Sequence, residues 1–130
     1  MYEWIDHTSE VELRVRADSA EGVVAQATTA LADVLGEPEG DDRVTRPLSV
    51  SARDRAGLLA AWLEEVVFLA DDEGLVPEGV AGLSFESGSL HGRVVARRGR
   101  PAHLVKAITY HRLALEEDAD GWWGRAVLDV

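Results

Sequence analysis

The sequence predicts an α+β fold: a single domain over residues 1–130, with the order β-α-β-α followed by four strands. The expected architecture is a mostly antiparallel sheet packed with two helices. Three observations predict it. Apolar and polar residues alternate over residues 10–17. Two later segments carry apolar residues at helical spacing, each between residues suited to capping. Beyond residue 82, short β-type runs are separated by hairpin-length turns instead of helices. The chain of 130 residues has the length of one ordinary domain.

In the first strand Val11, Leu13, Val15 and Ala17 alternate with Glu12, Arg14 and Arg16. Asp18 then suits an N-cap, with Glu21 three residues on completing a capping-box pattern. The helix that follows sets Val23, Val24, Ala27, Ala30, Leu31, Val34 and Leu35 along one stripe and stops at Gly36 and Pro38. Residues 44–52 read as a second strand, in which Pro47 points to a sheet edge or a bulge. Asp54 suits the cap of a second helix, carrying Leu58, Leu59, Trp62, Leu63, Val66, Val67 and Ala70 and closed by Gly74 and Pro77. Residues 82–85 and 90–97 form a strand pair around the turn Ser87-Gly88-Ser89. A loop over residues 98–102 leads into a long strand at 103–116, and a turn at 117–121 into a last strand at 122–130.

Charge narrows the function. With 24 acidic against 13 basic residues the net charge is −11. A surface gripping a nucleic-acid backbone needs clustered cations to displace counterions, so no direct tight nucleic-acid binding is expected. There is no cysteine, hence neither a disulfide framework nor a thiolate metal site. No apolar run reaches the length of a membrane span and no basic-then-apolar leader opens the chain, so a cytoplasmic protein without membrane attachment is expected.

Motifs for common chemistries are missing. His7, His91, His103 and His111 follow no HxxxH or HExxH spacing, and there is no GxSxG and no phosphate loop. The polar stretch Asp6-His7-Thr8-Ser9-Glu10 directly precedes the first strand, while Asp129 and Val130 close a segment still patterned as a strand. Convergence of Glu10, Asp129 and the terminal carboxylate would put three anionic groups together, which calls for raised pKa values or a hard cation. Equally, Glu10 and Asp129 read as solvated strand-end residues. Arg97, Arg98 and Arg100 read as a solvated turn, or as a contact for a partner's phosphate or acidic groups. Lys106 is the only lysine beside twelve arginines and lies in the apolar stretch LVKAITYH. Alternation puts it on one face with Leu104, Ile108 and Tyr110, and Val105 on the other. It is either a surface lysine lying along its neighbours or a compact ammonium that offsets carboxylates or reaches a partner.

Taken together, Ile5-Asp6-His7-Thr8-Ser9-Glu10, Leu58 to Glu65, Val105-Lys106-Ala107-Ile108-Thr109-Tyr110-His111 and Asp129-Val130 resemble, in order, the signatures of the archease family. The resemblance implies an accessory protein of the RtcB-type tRNA-splicing ligase, which joins RNA ends bearing a 3′-phosphate or 2′,3′-cyclic phosphate to a 5′-hydroxyl. It implies a non-catalytic, chaperone-like activator that promotes ligase guanylylation and multiple turnover. It also implies a divalent metal site at Glu10, Asp129 and Val130, with Ca²⁺ the first choice and Mg²⁺ or Mn²⁺ the alternatives. Asp6, His7, Lys106 and His111 would then serve the partner or support that site. Glu10 stands where the family signature has aspartate, one methylene shorter. The rival expectations are a small metal-binding chaperone module without a ligase partner and a metal-dependent hydrolase.

Overall fold

The computed structural model describes residues 1–101 and 105–130. Among them the order is β1 (Tyr2–His7), β2 (Glu10–Ala17), α1 (Ala20–Leu35), β3 (Gly36–Ser51), α2 (Arg55–Glu73), β4 (Leu75–Glu86), β5 (Ser89–Pro101), β6 (Ala107–Asp118) and β7 (Gly121–Asp129). The strands form two antiparallel sheets, one ordered β1-β2-β7-β6 and the other β3-β5-β4. The α+β expectation holds, with two small sheets in place of one.

Both helices start on a side-chain cap. Ser19, not Asp18, caps α1: its Oγ accepts from the Gly22 N–H at 3.0 Å. Asp54 caps α2 as its spacing predicts, accepting from the Gly57 N–H at 2.7 Å. Gly74 ends α2 in the left-handed region, at φ 66°, where its N–H reaches the Ala70 carbonyl. Each helix touches both sheets, and one continuous core joins them through Leu13, Val23, Leu31, Leu59, Trp62, Leu63, Leu90 and Leu128. The Trp62 indole N–H donates to Thr28 Oγ1, whose hydroxyl donates to the Val24 carbonyl, so the polar groups of this buried pair are satisfied. At Gly124 an added Cβ would lie 2.6 Å from Val23 Cγ1; the missing side chain lets α1 approach β7.

Five expectations change. Tyr2–His7 is a strand, paired with β2, which the sequence reading passed over in favour of its polar motif. Gly36, Glu37 and Pro38 do not end in a loop but pair with Pro101, Arg100 and Gly99 before a bulge at residues 39–42, so β3 starts earlier than residue 44 and Pro47 lies on an edge strand. Pro77 likewise belongs to β4 and not to the end of α2. The arginine-rich segment is not a loop up to Pro101: it continues β5, where Arg97 meets Asp41 and Glu78 and Arg100 meets Glu39. Asp41 and Glu39 of β3 and Glu78 of β4 thus offset the charges of Arg97 and Arg100. Of the expected strand at 103–116, residues 103 and 104 lie outside the described residues, and β6 begins at Ala107.

Candidate functional site

Strand register builds the site. Residues directly opposite in an antiparallel pair share a face, and that face repeats every second residue. Glu10 is the register partner of His7 on one side and of Asp129 on the other, and Asp129 is in turn the partner of Ala107. The turn through Thr8 and Ser9 joins β1 to β2, with Ser9 at φ 63°. The Lys106 N–H donates to the Asp129 carbonyl at 2.7 Å, and the Val130 N–H to the Ser9 carbonyl at 3.5 Å. Signature segments from the beginning, the last third and the end of the chain therefore meet at one corner of the four-stranded sheet.

The expected site residues divide there. Glu10 and Asp129 oppose each other on the sheet face turned away from the helices, while Val130 packs against the core. Asp6 is exposed on β1, opposite Val11. Lys106 is exposed and precedes the strand instead of lying in it. Val105 and Ile108 both enter the core, so the expected alternation, with Val105 facing away from Ile108, fails. The reason is that ladder pairing begins only at Ala107. The lysine borders a hollow of about 250 Å³ with Glu64, Val67 and Phe68 of α2. His111 is exposed in a bulge of β6, its N–H donated to Thr109 Oγ1 at 3.3 Å, with no described contact to the corner. Among the described residues no group of three or more His, Asp or Glu side chains could hold a metal ion. The corner offers two carboxylates, an all-oxygen pair suited to a hard cation only with further oxygen ligands.

One residue escaped the sequence reading. Glu12 lies two positions along the same face from Glu10, where alternation predicts solvent, yet it is 0% exposed. Arg14 Nε donates to its Oε2 at 2.6 Å. Arg112 Nη1 stands 2.7 Å, and His7 Nε2 3.4 Å, from its Oε1. Burial pushes the Glu12 carboxyl up, but the Arg14 hydrogen bond, the charges of Arg112 and Arg14 and the His7 contact outweigh it, holding the pKa below the ordinary 4.5. The cover comes from β6: Thr109 pairs with Val127 and Ala114 with Arg125, so Tyr110, His111, Arg112 and Leu113 bulge opposite the single residue Ala126. Arg112 takes φ 59° within that bulge, and Arg125 Nε donates to its carbonyl at 2.6 Å. Nothing in a strictly alternating strand marks one of its polar residues for burial; the position of Arg112 directly after the ITYH motif was the only available hint.

The family model described as "Archease protein family (MTH1598/TM1083)" matches residues 2–130. The chain is 32% identical to the protein archease of Methanopyrus kandleri, with 99% of each chain covered. It is 30% identical to that of Pyrococcus furiosus, covering 99% of this chain and 98% of the relative. The solution structure of Methanobacterium thermoautotrophicum protein 1598 superposes with a TM-score of 0.72 at 22% identity, covering 99% of this chain and 98% of that one. A crystal structure of an archease from Thermotoga maritima, described as a possible chaperone, gives 0.62 at 20% identity, over 100% and 98% of the two chains.

Proposed function

Because the chain belongs to the archease family, we propose that it acts in the cytoplasm as a non-catalytic, chaperone-like activator of an RtcB-type RNA ligase. It would promote guanylylation of the ligase and its repeated turnover, leaving the RNA to the enzyme. The single observation that carries this reading is the corner itself: register sets Glu10 against Asp129, and the Lys106 N–H holds the Asp129 carbonyl at 2.7 Å. Two like charges opposed across a strand pair destabilise it, a cost that a bound cation would remove.

In this reading Glu10, Asp129 and the carboxylate or carbonyl of Val130 would hold one divalent ion, Ca²⁺, Mg²⁺ or Mn²⁺. Such an ion supplies positive charge and a template for oxygen ligands. The chain's own part is to bring the carboxylates together through β2 and β7. Lys106, exposed beside Phe68, would present a compact ammonium to the partner or to its phosphate groups. With a net charge of −11 the protein would repel RNA and dock on the ligase through side chains instead.

Transfer of radiolabelled GMP from GTP to the cognate ligase, with and without this protein, tests the proposal. Labelling should rise with added protein, and equal labelling at every ratio would refute it. The second reading, a metal-binding chaperone module without a ligase, is favoured by the description of the Thermotoga maritima relative as a possible chaperone. It predicts suppression of aggregation of unrelated clients and no effect on GMP transfer.

A further inference from the structure

Arg14 and Arg125 are direct partners across β2 and β7, on the sheet face turned away from the helices. Opposed like charges weaken a strand pair, and this pair recurs two steps from the opposed carboxylates Glu10 and Asp129. Each guanidinium is anchored through Nε alone: Arg14 on Glu12 Oε2 at 2.6 Å, Arg125 on the Arg112 carbonyl at 2.6 Å. No Nη of either takes part in a hydrogen bond among the described residues, and Arg125 forms no ion pair there. The Arg125 guanidinium is further held over the Trp123 ring, at 5.4 Å from its centre.

Both arginines line one surface cavity of about 520 Å³, together with Glu3, Arg16 and Trp123. Arg16 is committed to Asp118 through two hydrogen bonds of 3.1 and 2.9 Å. Glu3, the register partner of Arg14 on β1, is the one carboxylate in the lining. With Arg16 matched by Asp118, Arg14 and Arg125 against Glu3 leave a local positive excess in a protein whose net charge is −11. Planar guanidiniums with free Nη edges match the oxygens of a phosphate group in forked geometry. A cavity of this size, walled on one side by the Trp123 ring, falls in the range of small-molecule sites.

We infer that the cavity over the outer face of β1, β2 and β7 is a binding site for a phosphate-bearing small molecule of up to nucleotide size, held by Arg14 and Arg125 beside Trp123. The site is separate from the Glu10–Asp129 corner and does not depend on a ligase partner. Glu12 is a positioning residue for it, since it orients Arg14 directly and Arg125 through Arg112.

The test is titration of the full-length protein, in buffer passed over a chelating resin, with inorganic phosphate, pyrophosphate and ATP, followed by amide, arginine Nε and indole resonances. Pyrophosphate and ATP should shift the signals of Trp123, Arg14 and Arg125 and leave those of the β3–β5 arginines in place. Arg125→Gln and Arg14→Gln should weaken pyrophosphate about tenfold each through loss of a charge-assisted fork. Arg100→Gln, which removes the same charge far from the cavity, should change nothing, and Glu3→Gln should tighten binding. Shifts absent from the unmodified protein at about 10 mM probe, weaker than a ~1 mM affinity at the foot of the useful scale, would overturn the assignment whether or not any variant folds. So would equal weakening by Arg100→Gln, equal binding of the dicarboxylate glutarate, or exclusion of ATP where pyrophosphate binds.

Discussion

Arg112 closes over Glu12, its Nη1 2.7 Å from Oε1, although the arginine belongs to a bulge of β6 and the carboxylate to β2, with β7 between them. The contact turns a position that would face solvent into a buried hub linking β1 through His7, β2 through Arg14 and β6 through Arg112.

Glu12→Gln should therefore unfold more readily, by about 2–3 kcal/mol in urea denaturation. That lies below the 3–5 kcal/mol typical of breaking a fully buried pair, because the Arg14 and Arg112 side chains remain 46% and 39% exposed. A change under about 0.5 kcal/mol, the size of an ordinary surface substitution, would show that the hub contributes nothing.

The same residue sets a pH dependence. Its pKa is lowered in the folded state, so its contribution is complete above the unfolded value near 4.5 and is lost as pH falls through the lower folded value. The stability gap between the native chain and Glu12→Gln should narrow as pH falls below about 5. Thermal melts at a series of pH values check this, and a gap that widens as pH falls below about 5 would contradict the ion-pair account.

Ser9 pays for its turn with φ 63°. Ser9→Gly should stabilise the protein by about 0.5–1 kcal/mol, since glycine reaches the left-handed region without strain from a Cβ. A melting temperature lower than that of the native chain would mean that the hydroxyl, not the backbone, matters there.

Gly124→Ala tests the approach of α1 to β7. The new methyl would meet Val23 Cγ1 at 2.6 Å, and overpacking of this kind costs about 1–3 kcal/mol. Gly40→Ala offers a contrast in which no atom stands within 4 Å and only its φ of 76° resists. Equal losses in the two variants would remove the packing explanation.

At the proposed metal corner, a divalent ion should raise the melting temperature of the native chain, and Glu10→Gln and Asp129→Asn should each leave the fold intact and abolish most of that rise. A tag fused after Val130, which converts the terminal carboxylate to an amide, should do the same if that group is a ligand. Calorimetric titration with Ca²⁺, Mg²⁺ and Mn²⁺ checks all three, and unchanged affinity in every variant would move the ion elsewhere.

The sequence by itself determined the elements whose signals are local. Alternation in residues 10–17 gave β2, the Asp54 side chain and Gly74 bounded α2, and the stripe from Leu58 to Ala70 is buried throughout. The ordered signatures also pointed to the family, because they are short runs readable without a fold. What depends on partners distant in the chain was decided only by tertiary structure. Pairing with β5 drew Gly36 to Pro38 into a strand, and pairing with β2 made a strand of Tyr2–His7. Val105 turned into the core because the ladder of β6 starts two residues later. Glu12 illustrates the physical reason most directly. Its neighbours in sequence place it on the polar face, but burial depends on what the other strands bring over it. An arginine held at φ 59° by a four-residue bulge, and anchored there by Arg125, leaves no mark in the pattern of β2.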